Sequence, residues 1–100
     1  MRYEFDWEPD KAASNLTKHD VSFEEAMTIF ADPLSLSVPD RGPWMGEERW
    51  VTIGMTQFDR LLLVVHTHVE ISDDSVYIRV ISARKPTRRE IHDYEDNSNV

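Results

Sequence analysis

Ile78-Arg79-Val80-Ile81-Ser82-Ala83-Arg84-Lys85-Pro86-Thr87-Arg88-Arg89 is the stretch on which the fold of this chain turns. Its β-branched first half reads as the end of a strand running from Val76 to Arg84. Pro86 stops the strand, and Thr87 opens a helix to about Asp96. Thr87 and Glu90 have capping-box spacing, and Ile91 and Tyr94 fall on the inner side. The same stretch concentrates charge. Residues 79–89 hold five of the eleven Lys and Arg residues and no acid, a balance of +5. Residues 1–78 balance at −9 and the tail 90–100 at −4, so the chain is −8 overall. A body this acidic argues against general nucleic-acid coating, but one basic patch can still hold a phosphate chain locally.

Working outward, Leu61 to His68 is apolar on both faces at its start and reads as a central strand. Trp50 to Met55 alternates, with Val51, Ile53 and Met55 on one side. Glu70 to Ser75 reads as a polar turn. Short connections make the three strands an antiparallel meander. Asp40 to Gly46 is a loop, preceded by a short extended segment at Leu34 to Val38. Tyr3 to Trp7 alternates apolar and acidic residues and forms a short N-terminal strand. Pro9 starts a helix to about Lys18 that buries Ala12, Ala13 and Leu16, with Asp20 in the turn after it. Ser22 caps a second helix through Glu25, with Phe23, Ala26, Met27 and Phe30 as its apolar stripe. Asp32-Pro33 ends it. The expected fold is α+β: one domain over residues 1–100, a small antiparallel sheet, two N-terminal helices and one C-terminal helix. Residues 97–100 are read as a frayed tail.

There is no cysteine, which fits a reducing compartment. The N-terminus turns acidic at once, without the apolar segment of a signal peptide. The longest apolar run, Leu61 to Val65, is far short of a membrane helix. A soluble, cytoplasmic protein with no membrane partner is expected.

Seven pieces in order carry a resemblance. They are Phe5-Asp6-Trp7; Lys11 with Asn15-Leu16-Thr17-Lys18-His19; Val21-Ser22-Phe23-Glu24-Glu25-Ala26; Phe30-Ala31-Asp32-Pro33; Glu48-Arg49 with Ile53-Gly54; Val64-Val65-His66-Thr67; and Ile78-Arg79-Val80-Ile81-Ser82-Ala83-Arg84. The ordered set resembles the BrnT family of toxin–antitoxin ribonucleases. The resemblance implies a RelE-like toxin fold and an RNA-cleaving toxin that arrests translation. It implies a BrnA-like ribbon-helix-helix antitoxin as partner, with operator DNA reached only through that antitoxin. Asp20 departs from the family, standing where a glycine usually follows the Lys-His pair. The stretch His68-Val69-Glu70-Ile71 is longer than usual and lacks a basic residue.

In-line attack of a ribose 2′-oxygen on its own phosphate needs a proton acceptor, a proton donor and cations at the phosphorane. Arginine suits the last role, and the chemistry calls for no metal or other cofactor. The candidate catalytic residues are Arg79, Arg84, His19, Arg49, Lys18 and Glu48. Arg79 and Arg84 differ by five positions, so on an unbroken strand they face opposite ways. They share a site if the strand is bulged or if Arg84 lies past its end, and the nearby Pro86 favours the second. The plain alternative for each is an ion pair with the acidic body. Glu48 and Arg49 read as a cross-strand pair. Lys18 and His19 suit a helix C-terminus electrostatically. Lys85, Arg88 and Arg89 are candidates for RNA or antitoxin contact, although Arg89 and Asp93 also have helical pair spacing. Trp44 is the one aromatic placed for exposure. Two other classes remain: a non-catalytic module acting through antitoxin binding and operon control, and a small metal enzyme resting only on the i, i+2 spacing of His66 and His68.

Overall fold

Strand β6 (Ser75–Arg84) is the axis of the molecule. The computed structural model describes residues 1–42 and 46–98. The strands are β1 (Arg2–Asp6), β2 (Leu36–Asp40), β3 (Arg49–Met55), β4 (Leu61–His66), β5 (Val69–Ser72) and β6. They form one six-stranded sheet in the order β1-β6-β4-β3-β2, with β5 beside β6. β1 runs parallel to the first half of β6, and every other pairing is antiparallel.

The α+β class holds, with more strands than the sequence suggested and a mixed sheet. The meander β3-β4-β6 forms as expected. The expected polar turn contains β5, because Val69 and Ile71 supply β-branched residues on either side of Glu70. The tight turn shrinks to Asp73-Asp74. β4 ends at His66, two residues early, where the pairing with β6 shifts register.

Helices α1 (Pro9–His19) and α2 (Phe23–Ala26) cover one face of the sheet. Ser22 Oγ accepts from the Glu25 N–H at 3.1 Å, as its capping spacing predicts. The second helix departs from the expected form after one turn. From Met27 to Ala31 it tightens into a 3₁₀ helix. Three residues per turn then put Phe23, Ala26 and Ile29 on one face, all fully buried, while Phe30 is only partly buried. Gly54 permits this contact: a Cβ there would lie 3.0 Å from Ile29 Cβ and 3.2 Å from its carbonyl oxygen.

The inner side of α1 also differs. Leu16 is 50% exposed and Ala13 is exposed, whereas Asn15 is buried. β1 stops at Asp6, opposite Arg79, so the later backbone of β6 lacks a strand on that side. Asn15 takes the place of that strand. Its amide donates to the Ala83 carbonyl at 2.8 Å and accepts from the Ala83 N–H at 3.0 Å, and also donates to Val21 O at 3.0 Å. A buried polar residue thereby completes a ladder that apolar periodicity cannot report. Asp20 ends α1 with φ 57°, the left-handed conformation for which glycine is the easy choice, and its N–H reaches Leu16 O at 3.0 Å.

α3 (Arg88–Ser98) lies against the other end of the sheet. Its capping box is reciprocal, with Thr87 N–H on Glu90 Oε1 at 2.8 Å and Glu90 N–H on Thr87 Oγ1 at 3.2 Å. Tyr94 is buried and donates to Asp32 Oδ2 at 2.6 Å.

Replacing Asn15 by Ala would strand three backbone groups at the α1–β6 contact. A loss of roughly 3 kcal/mol is expected. Leu16→Ala, on the exposed side, should cost below about 0.5 kcal/mol. Urea unfolding of both variants reads the difference directly, and equal losses would refute the clamp.

Candidate active site

A one-residue irregularity in β6 decides which way its arginines point. Val65 pairs with Ser82, but the next residue, His66, pairs with Val80, leaving Ile81 without an opposite number. Val76, Ile78 and Val80 are buried against the helices, and after the shift it is Ala83 that is buried. Arg79 and Arg84 therefore share the outer face of the sheet despite their odd spacing. Arg84 reaches that face as the last residue of the strand, not from beyond its end. Of the two routes weighed from sequence, the bulge is the one taken.

Arg49, at the start of β3, is two residues before Val51, which pairs with Val65 on the same outer face. Thr67 makes two bonds to the Arg79 backbone: its N–H reaches Arg79 O at 3.0 Å, and its side-chain Oγ1 accepts from the Arg79 N–H at 3.0 Å. Asp6 pairs with Arg79 from β1. Arg49, Thr67, Arg79 and Asp6 thus form one row across the sheet. Glu47 joins the two arginines. Its Oε1 accepts from Arg49 Nε at 3.2 Å and its Oε2 from an Arg79 terminal nitrogen. Glu8 stands 3.9 Å from the other Arg79 nitrogen. Tyr77, two positions before Arg79, donates to Asp6 Oδ2 at 2.8 Å. That bond, with some burial, raises the phenol above its ordinary pKa.

Glu47, Glu48, His68, Tyr77 and Arg79 wall an open cleft of about 440 Å³. A larger hollow of about 740 Å³ between β1 and the 3₁₀ turn is lined by Tyr3, Phe5, Met27, Phe30 and Met55, with no Lys, Arg or His in its wall. Of the two, the smaller cleft is the one that holds an arginine, Arg79, and a histidine, His68.

Arg84 lies on the same face but apart. Its partner Leu63 is four residues from Thr67, so the two arginines are about 13 Å apart along the strands. Its guanidinium grips Glu90 with two bonds of 2.9 Å. Arg84 holds the Glu90 carboxyl down at about 2, with the Thr87 bonds adding to the effect. Lys85, Arg88 and Arg89 are exposed beyond it, and neither Arg88 nor Arg89 forms an ion pair among the described residues, so the Arg89–Asp93 spacing goes unused.

Lys18 and His19 sit exposed at the far end of α1. Glu8, beside Arg79, immediately precedes that helix, so His19 is about 16 Å away along its axis. They do not join the Arg49–Arg79 row. Glu48 is exposed at the cleft rim, and Glu47 is the acid bonded to Arg49 Nε. His66 is buried on the inner face. Its Nδ1–H donates to Thr67 O at 2.8 Å, so Nε2 accepts from the Thr52 hydroxyl at 2.7 Å. Burial lowers its pKa to about 4. His68 is exposed with its ring 6.1 Å from that of Trp50. Among the described residues no group of three or more His, Asp or Glu is placed to hold a metal. Trp44 lies outside the described residues.

Sequence reasoning missed Glu47, Tyr77 and His68 in the cleft and Asp6 in the row beside it. The first two carry a local signal, since each is two positions from an arginine on an extended segment. Asp6 carries none, because its place depends on the parallel pairing of the chain's two ends.

A family model described as the ribonuclease toxin BrnT of type II toxin–antitoxin systems matches residues 7–90. The chain belongs to the BrnT family. The matched region holds Arg49, Arg79 and Arg84. The crystal structure of the Brucella abortus ribonuclease toxin BrnT superposes with a TM-score of 0.59 at 17% identity, covering 88% of this chain and 100% of that one. That likeness carries the fold. No curated protein matches in sequence. BrnT-family membership places this chain among ribonuclease toxins with an antitoxin partner. Among the described residues no helix is long and apolar enough to cross a membrane.

His66 makes this BrnT-family fold sensitive to pH. Between its ordinary value of 6.5 and about 4 the unfolded chain takes up a proton that the folded chain refuses. Its stabilisation is complete above pH 6.5 and falls by about 1.4 kcal/mol per pH unit across that window. Glu90 acts lower, its contribution fading from about pH 4.5 to about 2. Unfolding free energies measured from pH 7 to 4 should show the first slope in the native chain and lose it in His66→Gln. Parallel curves would reject it.

Proposed function

We propose that this chain is the toxin of a type II pair and cleaves RNA in the Arg49–Arg79 cleft without a metal. The observation that carries this reading is the placement of two guanidiniums, from β3 and β6, around one anionic group on an open face. A phosphodiester oxygen pair fits that arrangement, and the guanidiniums would stabilise the extra charge of the phosphorane. Glu48 and His68, exposed on the rim, are within the cleft to accept the 2′-proton and to protonate the leaving oxygen. Lys85, Arg88 and Arg89, with Arg84 at their base, extend positive charge along the start of α3 for flanking phosphates or for the antitoxin. Lys18 and His19 form a separate exposed pair, suited to contact with the RNA strand or the partner rather than to the same reacting atoms.

The partner is proposed to be a BrnA-like ribbon-helix-helix antitoxin, through which alone the complex reaches operator DNA. The acidic body of the toxin suits a basic DNA-binding protein. Cleavage in the cytoplasm would arrest translation. A second reading, a binding module without catalysis, is favoured by one observation: Arg79 and Arg84 are both satisfied by carboxylates.

Induced expression of the native chain should stop growth and cut RNA. Arg79→Ala should lower cleavage by the purified protein about 100-fold. Its unfolding free energy should move by less than about 1 kcal/mol, since the pair is partly exposed. Full cleavage by the Ala variant would remove Arg79 from the mechanism. Absence of cleavage by the native chain, with antitoxin binding intact, would establish the binding module instead.

A further inference from the structure

We infer that Glu47 is a built-in competitor for the substrate phosphate and sets the selectivity of the cleft for a polyanionic strand over a lone phosphate. The inference rests on the reading of the Arg49–Arg79 cleft as the RNA site. Glu47 presents its two oxygens to two different guanidiniums, one from β3 and one from β6. A phosphodiester bridging the same pair would do the same with its two free oxygens, at the same single negative charge. Carboxylate and phosphate cannot both occupy the position.

The carboxylate is placed to leave. Glu47 precedes β3, which starts at Arg49, so its release breaks no strand pairing. Gly46 before it has φ 68°, and among the described residues nothing lies within 4 Å of where a Cβ would stand. The side chain of Glu47 is 35% exposed and that of Arg79 is 26% exposed, so water can follow either group as the partners exchange.

Exchange of one monoanion for another gains little by itself. A single phosphate therefore competes poorly with a tethered carboxylate, whose effective concentration is high. An RNA strand brings further phosphates to the exposed Lys85, Arg88 and Arg89, and those contacts decide the exchange. Glu47 thus acts as a threshold that favours strands over mononucleotides. Glu8, 3.9 Å from Arg79, holds that guanidinium toward the cleft when Glu47 has moved.

The test is binding of a fluorescent RNA oligonucleotide with 2′-O-methyl riboses, which lacks the nucleophile, at one fixed salt concentration. Glu47→Gln should bind it roughly fivefold more tightly than the native chain, the ratio corresponding to one partly exposed ion pair. Inorganic phosphate should raise the Tm of Glu47→Gln more than that of the native chain. The gain should vanish when Arg79→Ala is added. Glu24→Gln, an equal charge change at an exposed site on α2, should show no gain. Weaker or unchanged binding by Glu47→Gln overturns the inference and makes Glu47 a clamp for Arg79. A gain that survives Arg79→Ala, or appears equally in Glu24→Gln, overturns it as a general charge effect. Failure of the ribonuclease reading is seen separately, as intact natural RNA after incubation with every variant.

Discussion

The single unpaired residue in β6 organises this molecule. Without the shift at Ile81, Arg84 would point into the helix layer and Ala83 would face solvent. With it, one strand supplies an unbroken apolar face to the core and two cations to the opposite surface. Beyond the shift β6 has no strand on its β1 side, and Asn15 supplies two bonds to Ala83 there. The anchor of α1 and the direction of the outer-face arginines thus meet on the same half of β6. An extra residue in a strand is usually a local kink; here it also sets Arg79 and Arg84 on one face of the sheet.

The same strand end docks α3. Arg84 binds Glu90, Glu90 closes the capping box with Thr87, and Tyr94 reaches Asp32 one helix length on. Burial of Asp32 favours its neutral form, but bonds from Tyr94 and from the Met55 and Leu34 N–H groups outweigh that and keep its pKa below the ordinary value. Burial and the same carboxylate push Tyr94 up to about 12. The Asp32-Pro33 step that ends the 3₁₀ turn is thus also where β3 and α3 are tied together. Arg84 spends its charge on this architecture, whereas Arg79 meets its acids in an open cleft.

Local chemistry was legible wherever a few neighbouring residues settle the conformation. The Ser22 and Thr87 caps, the stop at Asp32-Pro33 and the strands of the meander follow from side chains within one turn or one pleat. The change of helical pitch after Ala26 was not, because it depends on how closely Gly54 lets Ile29 approach. The burial of Asn15 was not, because its partners are 68 residues away along the chain. Of the cleft and the row beside it, Arg49, Arg79 and Glu48 could be named from residue type and position. Glu47 was overlooked in favour of its neighbour, although the two-residue period of extended chain points from Arg49 to Glu47.

The basic run at 79–89 shows where the boundary lies. Its order of residues determined by itself that there would be a strand, a break at Pro86 and a capped helix, since torsional preference and capping are local energies. It also determined that cations would be concentrated there in an otherwise acidic chain. Which way each cation faces was decided only in three dimensions. The parity of a strand depends on pairing with β4, and the charge state of a surface depends on acids delivered from β1, α3 and the residues just before α1 and β3. Those contacts join residues distant in sequence, and no local energy encodes them.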